Sequence, residues 1–136
     1  SFLREKGVSV PPEHIVDFGS DDMAGLLKRL CFSENPVTGI FATSDVCASW
    51  IYAAAYRLGI RIPEDLSVIG FDDIGMSRYM IPPLTTIRQD IRRKAKIASE
   101  LLMKNIQNPD SPMENIVMSV ELVERESVGR LGTGYF

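Results

Sequence analysis

Two adjacent carboxylates, Asp72 and Asp73, end the most strand-like run of the chain, LSVIGF from Leu66 to Phe71. Two other polar clusters follow apolar runs in the same manner. Gly19-Ser20-Asp21 follows Ile15–Phe18, and Thr43-Ser44-Asp45 follows Val37–Ala42. A carboxylate that accepts two hydrogen bonds suits vicinal hydroxyls or an amino group, and charge-assisted bonds of this kind are about twice as strong as neutral ones. A pocket needs only a few such groups among apolar walls. Asp72, directly behind VIGF, is read as a ligand contact. For Asp21, Asp45 and Asp73 a plainer role, accepting from helix or turn N–H groups, stands beside ligand binding.

Other chemistries find less support. Carboxylates at strand tips can hold Mg²⁺, but no strand carries a DxD spacing and no Gly-rich phosphate loop is present. No Lys or Ser is set as a nucleophile beside a base. His14 is the one histidine, just after Pro11-Pro12, and general acid–base catalysis lacks a second titratable partner for it. The expectation is a protein that is not an enzyme and needs neither metal nor cofactor. Cys31 and Cys47 lie far apart with no CxxC spacing, which reads as free thiols in a reducing compartment. A net charge of −3 argues against nucleic-acid binding by bulk electrostatics within these residues. The cations of RRKAK, Arg92 to Lys96, oppose the dipole of the helix they open and read as a solvated face. No apolar run approaches membrane-spanning length, and no charged-then-apolar leader stands at the start.

The elements that would position these residues follow from periodicity. Ile15–Phe18, Val37–Ala42, Ser67–Phe71, Leu84–Ile87 and Ile116–Val123 read as strands. Asp21 and Asp22 open a helix carrying Met23, Leu26, Leu27, Leu30 and Cys31 at helical spacing, broken by SENP. Thr43, Ser44 or Asp45 caps the next, VCASWIYAAAYRL, which stops at Gly59. That helix is apolar on nearly every side, so a face carrying Trp50, Tyr52 and Tyr56 calls for a partner beyond the sheet. Asp90 to Ile106 is the last helix. Alternating strands and helices with short connections imply a parallel sheet covered on both faces. In such sheets ligands gather at the carboxyl ends of the strands, which is where all three polar clusters fall. With 136 residues, 45% of them hydrophobic, the chain can bury one core. The opening SFLREKGVSV resembles the last turn of a helix, which reads as a piece of something longer.

The elements FATSDVCA, RLGIRIPEDLSVIGFDD, PPLTTIRQD and ASELL, in that order from Val37 to about Leu102, resemble the effector-binding core of lactose-repressor/galactose-repressor (LacI/GalR) transcriptional regulators. VELVERESV is similar to the family's closing strand, so the resemblance covers nearly the whole chain. It implies an α/β fold like the type I periplasmic binding proteins, two subdomains hinged around a small ligand. Residues 1–88 and 116–128 then form the C-terminal subdomain and 129–136 a tail. The helix of residues 90–107 would return to the other subdomain, whose partner surface lies outside these residues. The helix-turn-helix that meets operator DNA in the family is also outside them.

Carried over position by position, the resemblance makes Asp72 the carboxylate that binds the effector, a sugar or similar molecule. Ser44 stands where sugar-responsive members often carry Asn, with Asp45 beside it. Ser20, next to Asp21, falls near the place where many members stack an aromatic ring on the ligand. Thr86, Ile87, Arg88, Gln89 and Asp90 match the hinge. Ala48, Ser49 and Tyr52, with Met76, Tyr79, Met80 and Ile81, match the surface through which members form homodimers. The expected protein is a cytoplasmic, effector-responsive repressor. A solute-binding protein of a sugar ABC importer shares the fold and pocket and remains the alternative.

Overall fold

Each of the α-helices Met23–Cys31, Asp45–Leu58 and Ile91–Gln107 starts behind a side chain that accepts from one of its free N–H groups. A computed structural model of the protein describes residues 5–7, 9–16, 22–109, 112 and 114–130. Helix α1 spans Met23–Cys31, and Asp22 Oδ1 accepts from Gly25 N at 2.7 Å. Helix α2, Asp45–Leu58, is capped by Ser44, whose hydroxyl accepts from Cys47 N at 3.1 Å. It ends at Gly59, where φ of 71° is left-handed and glycine carries no Cβ to oppose it. Helix α3, Ile91–Gln107, is capped by Asp90, which accepts from Arg93 N at 2.9 Å.

Four strands form one sheet in the order β1 (Gly39–Phe41), β2 (Ser67–Asp72), β3 (Thr85–Arg88) and β4 (Glu121–Val123). β1 and β2 pair in parallel with Ile40 opposite Val68, and β2 and β3 in parallel with Asp72 opposite Arg88. β4 runs antiparallel to β3, with Glu121 opposite Arg88. The sheet is therefore mixed, against the expectation of a purely parallel one. The chain leaves β3 through α3 and returns on the open edge of β3, and an antiparallel edge strand is compatible with such a return. The expected strand at Ile116–Val123 shortens to its last three residues. Its alternating Ile116, Met118 and Val120 belong to no strand among the described residues. Ile15 and Val16 are likewise outside any strand, and the rest of that expected strand, with Asp17 and Phe18, lies outside the described residues.

The core gathers where α2 packs on β2 and α1 packs on α2. Leu27, Ile51, Leu66, Val68 and Leu84 are all but sealed from solvent, and burying each such side chain contributes about 1.5–3 kcal/mol. Along α2 the buried stripe is Asp45, Ala48, Ile51, Ala54 and Ala55, spaced by three or four as one helix face requires. On the opposite face of the sheet Phe41 stays 56% exposed, its ring 6.5 Å from Phe71 in an edge-to-face pair. The expected cover on both faces is thus incomplete among the described residues. Helix α3 buries none of its seventeen residues. No helix among the described residues is long and apolar enough to cross a membrane.

Candidate functional site

The carboxyl ends of β2 and β3 lie side by side, and the polar residues that follow them meet there. Asp72 closes β2 and pairs in register with Arg88 at the end of β3. Gln89 Nε2 donates to Asp72 Oδ1 at 2.6 Å, and Lys94 Nζ, one turn into α3, donates to Gln89 Oε1 at 3.1 Å. A cleft of about 850 Å³ opens at this point, between the strand ends, the start of α3 and the segment before β4. Asp72, Arg88, Gln89 and Arg93 line its polar side, and Ile97 and Ile116 its apolar side. An acid among donors and apolar walls of this volume is suited to a small polyhydroxylated ligand.

Asp73 has a different task. Its side chain is 3% exposed, and its carboxylate takes Arg88 Nε at 2.7 Å on one oxygen and Arg125 Nη2 on the other. Ser77 Oγ donates to it at 3.3 Å, and Arg78 stands 3.9 Å away. Burial alone would raise its pKa, but the hydrogen bonds from Arg125 and Arg88 outweigh that and hold the carboxyl below its ordinary value. The same pair raises the pKa of Arg88, chiefly through the hydrogen bond to Asp73. Arg125 also donates to Ser77 Oγ at 3.1 Å and Leu84 O at 2.6 Å, so it stitches the loop after β4 to the segment before β3.

Asp45 departs from its expected place. It is fully buried, receiving Ile74 N at 2.9 Å on Oδ2 and the Thr86 hydroxyl at 2.5 Å on Oδ1. It faces the sheet because it sits on the buried stripe of α2, so its carboxylate fastens α2 to β3 and to the turn after Asp73. Of the two roles the sequence left open for Asp45, it therefore fills the one that accepts a turn N–H, and its burial corrects the other, the ligand contact. Gly70 makes room for it, since a Cβ there would fall 2.2 Å from Asp45 Oδ1. The hydroxyl of Ser44 accepts from Cys47 N in capping α2, and Ser44 does not line the cleft. Of the five residues expected to bind ligand, Asp72 is the one placed in the cleft, while Ser20 and Asp21 lie outside the described residues.

The residues expected to form a hinge make up the β3–α3 passage. Thr86 is buried, Ile87 and Arg88 complete β3, Gln89 reaches Asp72, and Asp90 caps α3. The residues expected at a dimer surface divide. Met76, Tyr79 and Ile81 are exposed, the last two at 83% and 91%. Tyr52 donates its hydroxyl to Pro82 O at 3.0 Å, and burial pushes its phenol up to about 12 against a smaller opposing hydrogen bond with Ser127. Met80 packs against the core, and the hydroxyl of Ser49 donates to Val46 O at 2.7 Å. Ala48 is fully buried in the core and is corrected as an interface residue, because it shares the stripe of Ile51 and Ala55. The neighbouring residues that do face solvent on α2 are Val46 and Trp50.

Arg125 is the site residue that no local pattern marked. It lies fifty-two positions from Asp73, and only the antiparallel return of β4 brings the two together.

Parallel strands with an acid at their carboxyl rim, opening on a cleft beside a strand-to-helix passage, define a periplasmic binding protein-like domain. The chain belongs to that family, with the match running over residues 2–128. Proteins similar to this chain include transcriptional repressors and LacI family regulators of solved structure. It is 37% identical over 128 residues to the ribose operon repressor of Haemophilus influenzae, covering 93% of this chain and 39% of that one. It is 41% identical over 131 residues to the transcriptional repressor PurR of Vibrio atlanticus, covering 95% of this chain and 39% of that one. The chain thus spans about two fifths of the length of these relatives. A LacI family regulator from Enterococcus faecium, solved with bound ribose, superposes with a TM-score of 0.75 at 30% identity. That superposition covers 96% of this chain and 48% of the other.

Proposed function

We propose that this chain is the C-terminal part of the effector-sensing domain of a LacI/GalR transcriptional repressor, and that its effector is a small sugar or related metabolite. The observation that carries the reading is the placement of Asp72. Asp72 lines the cleft, its carboxylate anchored through one oxygen by Gln89, on the strand next to the one that leads into α3. Two vicinal hydroxyls would find acceptors in that carboxylate and donors in the cations across the cleft. The ribose found in the Enterococcus faecium structure supports a neutral sugar as the first ligand to try.

The mechanism is a two-state switch in which no bond is made or broken. Thr86 to Asp90 act as the hinge, and an effector on Asp72 favours one arrangement of β3 and α3 over another. It can shift the balance only by its difference in affinity for the two, a coupling of roughly 1–3 kcal/mol in typical cases. The change reaches operator DNA through a helix-turn-helix outside this chain and through a homodimer formed by Tyr79, Ile81, Met76 and the exposed side of α2. Repressors among the relatives favour this reading over an importer's binding protein.

The test is calorimetry of D-ribose, other pentoses and hexoses with the full-length protein, paired with operator release. Saturable binding of one sugar that also releases DNA is the expected result. Binding without any effect on DNA would move the assignment to the importer class.

A further inference from the structure

Asp72 and Asp73 are the non-glycine residues at positive φ among the described residues, with φ of 112° and 51°. Aspartate tolerates the second value, which lies in the left-handed region it visits more readily than most residues. The first is foreign to residues with a side chain. Such a conformation persists only where the surroundings over-determine it. The hydrogen bond from Gln89 to the Asp72 side chain does not fix the backbone of Asp72, but the two residues that follow do. Asp73 is gripped by Arg88 from β3 and by Arg125 from the loop after β4, with Ser77 on the same carboxylate. The N–H of Ile74 is held by Asp45 Oδ2, which α2 and Thr86 fix in turn.

We propose that Asp73, clamped by Arg88 and Arg125, is a positioning residue that keeps Asp72 in its strained backbone conformation and thereby aims the effector-binding carboxylate into the cleft. The inference rests on the reading of Asp72 as the effector contact. It assigns the second acid of the pair a task distinct from the first. Asp73 also borders the cleft, but its side chain is 3% exposed and its carboxylate is taken up by its arginines, which its charge serves to hold. Because Arg88 precedes Gln89, the residue that anchors the Asp72 side chain, the passage from β3 to α3 supports both backbone and carboxylate of Asp72.

The experiment compares the full-length parent with Asp73→Asn and Arg88→Gln. The second variant changes a side chain that is 41% exposed and so leaves the core intact. Crystal structures read φ at residue 72, and calorimetry reads D-ribose affinity. The clamp predicts that φ leaves the positive region in both variants and that ribose affinity falls about tenfold or more. Positive φ retained in both variants would overturn it, as would a relaxed φ with ribose affinity equal to the parent's. Should Asp73→Asn fail to fold, φ at residue 72 in Arg88→Gln decides alone, because Arg88 itself lines the cleft and its loss can lower ribose affinity directly. A parent that binds no ribose would count against the functional reading, while φ at residue 72 would still judge the clamp.

Discussion

At the scale of residues, the pair of acids after VIGF separates into one that is offered and one that is held. Asp72 lines the cleft with Gln89 on one carboxylate oxygen, whereas both carboxylate oxygens of Asp73 are taken by Arg88 and Arg125. Its folded pKa lies below the ordinary value of 3.8. A depressed carboxylate contributes stability that is complete above its unfolded pKa and is lost as pH falls through the folded one. The parent should therefore lose stability on acidification below about 4, and Asp73→Asn should flatten that limb in urea unfolding measured across pH. An equally steep limb in the variant would place the acid sensitivity elsewhere. Gly70 supplies a second test. A methyl group there would overlap Asp45 Oδ1 and approach Leu84 Cδ2 within 2.8 Å, so Gly70→Ala should destabilise by about 1–3 kcal/mol. Unchanged urea stability would show that Asp45 moves aside freely.

At the scale of elements, what the sequence made legible was whatever local periodicity and caps encode. Helix α2 begins behind Ser44 and ends at Gly59 as its pattern implies, and β2 and β3 fall within one residue of their apolar runs. The direction of β4 was not legible, because alternation marks an extended segment and says nothing about its neighbour. Asp45 left two roles open for a related reason. A carboxylate behind an apolar strand looks the same whether it caps, binds ligand or turns inward, and the stripe of α2 that buries it is set by the sheet beneath. Helix α3 shows the converse. Its apolar Leu102, Met103 and Ile106 remain 55–63% exposed, so little but its own propensity holds it, and helices of this length are marginal alone. Hydrogen exchange on the 136-residue chain should find α3 amides exchanging about a hundredfold faster than those in the middle of α2. Equal protection would mean that α3 is covered, by a second copy or by another part of the chain.

At the scale of the whole molecule, the cleft, the β3–α3 passage and the exposed apolar surface are three parts of one device. In the proposed account Asp72 receives the effector, Gln89 links it to the start of α3, and the exposed Tyr79 and Ile81 stand on the surface that meets a second subunit. If that surface pairs the subunits, Ile81→Glu in the full-length protein should weaken the dimer by about 2 kcal/mol or more, read by sedimentation over a concentration series. A dimer of undiminished affinity would move the interface elsewhere. The measurement that bears most directly on effector sensing is release of operator DNA by D-ribose, compared between the full-length parent and Asp72→Ala. Release of the parent and none of the variant, across ribose concentrations up to about a hundred times the parent's midpoint, is the predicted result. Release of both at the same concentration would contradict the account, because the effector would then be sensed without the acid that the cleft is built around.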